Sequence, residues 1–167
     1  MIHPHAILKL RDRAVNAPTS YRILFEAFER RFSATYPQLV LLPYWQNFVG
    51  VATLGGCFAL SVSLAHEAPE EMRTELEIIM RKQIDIRYPG CEAFWEDCAH
   101  YVTDALHRIE RPERGKYMFL LPALWVLEHV SGSEMFSGKD EMCGEIAMLY
   151  QSESVGYWNA VQDYSAN

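Results

Sequence analysis

WQNFVGVATLGGCFALSVSLA, residues Trp45 to Ala65, is the stretch whose reading decides the fold. It lies inside a longer run, Phe32 to His66, that contains no Asp, Glu, Lys or Arg. A helix apolar on every side belongs in a core or a bilayer, so other elements must cover it. Wound as a helix, the stretch sets bulky Val51, Leu54, Phe58 and Val62 beside small Gly55, Ala59 and Ser63. Small residues let neighbouring backbones come close.

Two rival readings compete. Phe58, Leu60, Val62 and Leu64 alternate with Cys57, Ala59, Ser61 and Ser63, and Gly55-Gly56 suits a two-residue turn, so a β-hairpin fits the local pattern. A lone hairpin among helices would need further partners on its faces, and every later segment has helical spacing. The other rival is a membrane span, for which about 20 apolar residues suffice. Pro43, Gln46, Asn47, Ser61 and Ser63, the absence of flanking Lys/Arg clusters and the acidic segment that follows argue against it. The expectation is a buried helix in a protein without membrane contact.

Outward from this stretch, the periodicity predicts helices. Ile7, Leu8, Leu10 and Val15 suggest a short, weakly amphipathic segment over 4–15, and Pro18 sits where a second helix would start. Tyr21, Leu24, Phe25, Phe28 and Phe32 then fall at i, i+3, i+4, i+7 and i+11. Tyr36-Pro37 and Leu42-Pro43 break that helix and predict an extended passage into the central one. Pro69 with Glu70 and Glu71 opens the next helix, whose apolar stripe is Met72, Leu76, Ile79, Met80 and Ile86, and Tyr88-Pro89-Gly90 stops it. From Cys91 to Ile109 a further helix should turn Phe94, Cys98, Tyr101, Val102, Ala105 and Ile109 inward. The uncharged run Tyr117 to Leu127 continues as a helix to Ser131-Gly132, with Pro122 kinking it or lying in its first turn. Ser137-x-x-Asp140 resembles a capping box opening a last helix with Met142, Ile146, Leu149, Tyr150, Tyr157, Val161 and Tyr164 in phase. The expected fold is an all-α, single-domain bundle over 1–167, about six helices around the apolar helix 45–65.

The composition is that of a globular chain, with 50% hydrophobic and 22% charged residues among 167. A net charge of -7 and scattered Lys and Arg argue against nucleic acid, whose affinity rests on clustered cations. The first residues show no apolar signal region, so a cytoplasmic location is the expectation. Cys57, Cys91, Cys98 and Cys143 form no C-x-x-C pair and read as small buried hydrophobes.

Two patterns bear on chemistry. Asp97, His100, Asp104 and His107 form a stripe at i, i+3, i+7 and i+10 that points away from the apolar face of its helix, into water, where no second helix completes a metal site. Glu128 and Glu153 instead fall in phase with apolar residues of adjacent helices, as Gln83 does on its own helix. Burial disfavours a charged carboxylate, so such a pair, with His129 or His66 as a third group, is the candidate catalytic set. No nucleotide-binding, hydrolase or metalloprotease motif is present, and no cofactor or metal is implied. His66 could ligate haem only as a lone residue after an apolar run, a weak signal. The leading expectation is a helical protein acting by protein–protein interaction, a regulator, adaptor or immunity-type inhibitor, with Tyr157, Trp158 and Tyr164 as aromatic anchors. The alternative is an enzyme or small-ligand binder with Glu128 and Glu153 in a pocket between helices. Homo-oligomerisation is compatible with either.

Overall fold

The computed structural model describes residues 4–67, 70–132 and 134–165. Seven α-helices and no strand are found among these residues: α1 (Pro4–Thr35), α2 (Phe48–Glu67), α3 (Glu70–Arg87), α4 (Glu92–His107), the single turn α5 (Arg114–Tyr117), α6 (Leu120–Ser131) and α7 (Lys139–Ser165). The decisive stretch therefore begins as a 3-10 turn, Trp45–Asn47, and continues as α2. Cys57, Phe58, Ala59 and Leu60 are all buried, so the alternation that suggested a hairpin reflects burial on every side of a helix. α2 packs against α1, α3, α4, α6 and α7. No helix among the described residues is long and apolar enough to cross a membrane.

The first helix corrects the sequence reading. Pro18 starts nothing; it lies buried inside one continuous helix of 32 residues. Proline removes an internal hydrogen bond and crowds the carbonyl four residues back, a cost of about 3 kcal/mol. The inward stripe Ala6, Leu10, Ala14, Ala17, Tyr21, Phe25, Phe28 and Phe32 runs straight through it. Each buried Leu or Phe contributes roughly 1.5–3 kcal/mol, so packing outweighs the local defect.

Other helices shift by one or two positions. On α3 the buried residues are Met72, Leu76, Met80 and Ile84, and Ile86 points into water. On α4 Trp95 takes the inward place expected for Phe94, meeting Phe58 edge to face at 5.5 Å and 75°. Arg81 lies over the Trp95 ring at 5.7 Å and donates to Glu92 and Glu96, which ties α3 to α4. α3 stops as expected: Gly90, at φ 82, donates its N–H to Asp85 Oδ1 at 3.0 Å. α7 begins at Lys139, one residue later than a Ser137 capping box requires, after Gly138 at φ 85.

All four cysteines are free and buried. Burial pushes every thiol up, Cys143 to about 11 and Cys57 and Cys98 further. Desolvation likewise raises the Tyr150 hydroxyl, and burial with the nearby Glu128 carboxylate pushes Tyr101 up to about 12. The folded-state values lie above the unfolded ones, so the native chain keeps protons that the unfolded chain releases. This stability is whole below the ordinary thiol value of about 8.5 and is lost as pH rises towards the folded values. We expect the urea midpoint to hold between about pH 7 and 8 and to fall steadily above about pH 9. A midpoint that rises there would contradict the burial of these groups.

Candidate functional site

One end of the bundle gathers three connectors. Between α1 and α2 the chain is not extended, as the prolines suggested, but folded into two 3-10 turns, Pro37–Leu41 and Trp45–Asn47. Pro37 at a first helical position supports such a turn, and Leu39, Leu42 and Trp45 anchor the passage in the core. The Tyr44 N–H donates to Val130 O at 3.1 Å, and the Tyr44 and Pro43 side chains flank Gly132, where α6 ends in a left-handed residue. The Tyr36 ring covers Gly138, and its hydroxyl donates to Glu141. The α1–α2 and α6–α7 connectors are thereby held side by side. Among what they leave outside are four large apolar side chains: Val40, Tyr44, Leu41 at 81% exposure and Met135 at 83%.

Beside this surface, the approach to α2, the end of α3 and the start of α4 enclose a cleft of about 290 Å³. The approach to α2 contributes Gln46 and Asn47 to its lining, the turn after α3 contributes Tyr88, Pro89 and Gly90, and the start of α4 contributes Cys91 and Phe94. Phe94 is 42% exposed. No sequence pattern pointed to this cleft.

The face between α4 and α6 carries a polar cluster. Asp97, His100, Asp104 and His107 are all exposed, as their helical phase predicts. Asp97 nevertheless reaches α6: its Oδ2 accepts the Trp125 indole N–H at 2.8 Å and stands 3.7 Å from His129 Nε2. A buried indole needs an acceptor, and this is the one signal by which Asp97 could have been singled out. The His129 ring lies between Phe94 and Trp125, at 5.6 and 4.5 Å. Among the described residues, no group of three or more His, Cys, Asp or Glu is placed to hold a metal ion.

Glu128 and Glu153 do not share surroundings. Glu128 is exposed and accepts from the Tyr101 hydroxyl at 3.3 Å. Glu153 faces α1, with Arg13 Nη1 3.9 Å from its Oε2, and its side chain is 32% exposed rather than buried. Its neighbour Ser154 takes the inward position in line with Ile146 and Tyr150, returning its hydroxyl to Tyr150 O at 3.0 Å. A serine can satisfy itself on its own helix, whereas a carboxylate in that place would be stranded. Neither glutamate lines the cleft at Gln46 and Asn47. Gln83 is half-buried on α3, and the side chains of His66, Tyr157, Trp158 and Tyr164 lie outside the described residues. No protein-family model, curated protein or solved structure matches the chain.

Proposed function

We propose that this chain works by binding another protein, as a regulator, adaptor or inhibitor, through the apolar end of the bundle. The carrying observation is the joint exposure of Val40, Leu41, Tyr44 and Met135 on two connectors that are fixed against each other. Single exposed apolar residues are ordinary, but a group of large ones on one surface is the mark of an interface. Leu41 and Met135 supply adaptable apolar area, and Tyr44 supplies a rigid anchor with a polar tip. Exposed Glu134, Asp140 and Glu141 border the patch, with Lys139 the nearby counter-charge. This border and the net charge of -7 suit a partner that presents an apolar surface among basic residues, since the field steers the encounter and the apolar centre holds the complex.

The test is a Leu41→Asp/Met135→Asp double variant. Both side chains are exposed, so stability should stay within about 0.5 kcal/mol of the wild type. Affinity purification from the native source, followed by mass spectrometry, should show a stoichiometric partner that the double variant loses. Met148→Asp, an exposed position on α7, should retain it. Retention by both variants would remove the patch from the proposal.

A further inference from the structure

The cleft between α2, α3 and α4 has no part in the protein-binding reading. Eleven residues line it, and none is Asp, Glu, Lys, Arg or His, although charged residues make up 22% of the chain. We infer that it binds a small, neutral, planar molecule that carries an amide-like edge, such as a carboxamide, a lactam or a nucleobase without its phosphate.

The class of ligand follows from floor, rim and size. The floor is buried and apolar, made by Val51, Leu54 and Ile84, so it favours a ring or other hydrocarbon surface. A carboxylate, phosphate or ammonium seated on that floor would give up water with no counter-charge in the lining, a cost that disfavours ionic ligands. On the rim, the exposed Gln46 and Asn47 each carry an amide group that both donates and accepts. A carboxamide or lactam presents the same two functions side by side, so it can pair with such a rim without leaving a polar atom unmatched. The Phe94 ring, edge to face with His129 at 5.6 Å and still 42% exposed, also lines the cleft and offers apolar surface to a ring.

Two glycines keep the cleft open. A Cβ at Gly50 would stand in van der Waals contact with the Tyr88 ring, 3.4 Å from Cε1, so glycine there leaves that space to the cleft. Gly90, at φ 82, forms the lip without a side chain. A volume of about 290 Å³ sits at the small end of ligand sites, room for one or two fused rings but not for a dinucleotide.

The experiment is an amide-resolved NMR titration with nicotinamide and benzamide against their charged counterparts nicotinate and benzylamine. Nicotinamide and benzamide should give saturable shifts centred on Gly50, Gly90 and Cys91, with the charged probes at least about tenfold weaker. Gln46→Ala/Asn47→Ala alters two exposed side chains, so its spectrum should stay well dispersed while its affinity for nicotinamide falls about tenfold. Leu41→Asp/Met135→Asp should bind nicotinamide as the wild type does, which separates this site from the protein-binding surface. Nicotinate binding as tightly as nicotinamide, shifts centred elsewhere, undiminished binding by the Gln46/Asn47 variant, or no saturable shift up to the solubility limit would each overturn the inference.

Discussion

Gly56→Leu is expected to prevent folding to the native state, and even Gly56→Ala should lower stability by about 1–3 kcal/mol. Helix propensity alone predicts the opposite sign for alanine, which is better than glycine by about 1 kcal/mol inside a helix. Packing decides the outcome. A Cβ at Gly56 would fall 2.8 Å from both Cδ1 and Cε1 of Tyr21 and 3.0 Å from Tyr150 Cε1. Those rings are themselves wedged in the core: Tyr21 is edge-on to Tyr150 at 5.9 Å and stacked on Phe25 at 6.3 Å. Neither can move without displacing its neighbours, because a close-packed interior transmits strain. Gly55 is hemmed in the same way, by the Tyr150 hydroxyl at 2.8 Å and Val126 Cγ2 at 3.0 Å. Gly144 provides the control, since nothing lies within 4 Å of its Cβ position on α7. Gly144→Ala should raise stability by roughly 0.5–1 kcal/mol in the same urea melts. If Gly56→Ala matched Gly144→Ala, the close approach of α1 and α7 to α2 would be refuted.

The second large effect is expected at Tyr150, the side chain that fills this junction from α7. It is fully buried, donates its hydroxyl to Ala52 O on α2 at 2.7 Å, and meets the Phe25 ring of α1 at 5.6 Å and 70°. Tyr150→Ala removes an aromatic ring from the meeting point of three helices and should cost about 3–5 kcal/mol, the range for such truncations. Tyr150→Phe keeps the ring and loses one neutral hydrogen bond, so it should cost only about 1 kcal/mol. The ratio is the informative quantity. A Phe variant as damaged as the Ala variant would mean that the hydrogen bond, not the packing, docks α7 onto α2; thermal or urea unfolding of the two proteins decides it.

What was legible in the sequence is what local periodicity and local breakers encode. The uncharged run through Trp45–Ala65 reads as a covered element, with a hairpin and a membrane span as the rival readings, and α2 occupies Phe48–Glu67. Gly90 and Gly132 end α3 and α6 because each adopts a left-handed conformation that glycine takes at little cost. The outward face of Asp97, His100, Asp104 and His107 followed from helical phase in the same way. Periodicity gives the direction of a stripe but not which of two residues one or two positions apart fills a particular hole. Trp95 displaces Phe94, Ile84 is buried where Ile86 was expected, and Ser154 displaces Glu153, because the shape and polarity of the facing helix make that choice. Pro18 is a similar case: its local preference for a helix start is real, but the stripe from Ala6 to Phe32 packs on α2 and α3 as one unit and overrides it. The functional surfaces were the least legible. Tyr44 meets Val130 and Gly132, Tyr36 meets Gly138, and Gln46 and Asn47 share a cleft with Gly90 and Phe94, only after helices far apart in the chain have packed. Such a juxtaposition has no period and no spacing, so only the tertiary structure could bring it into being.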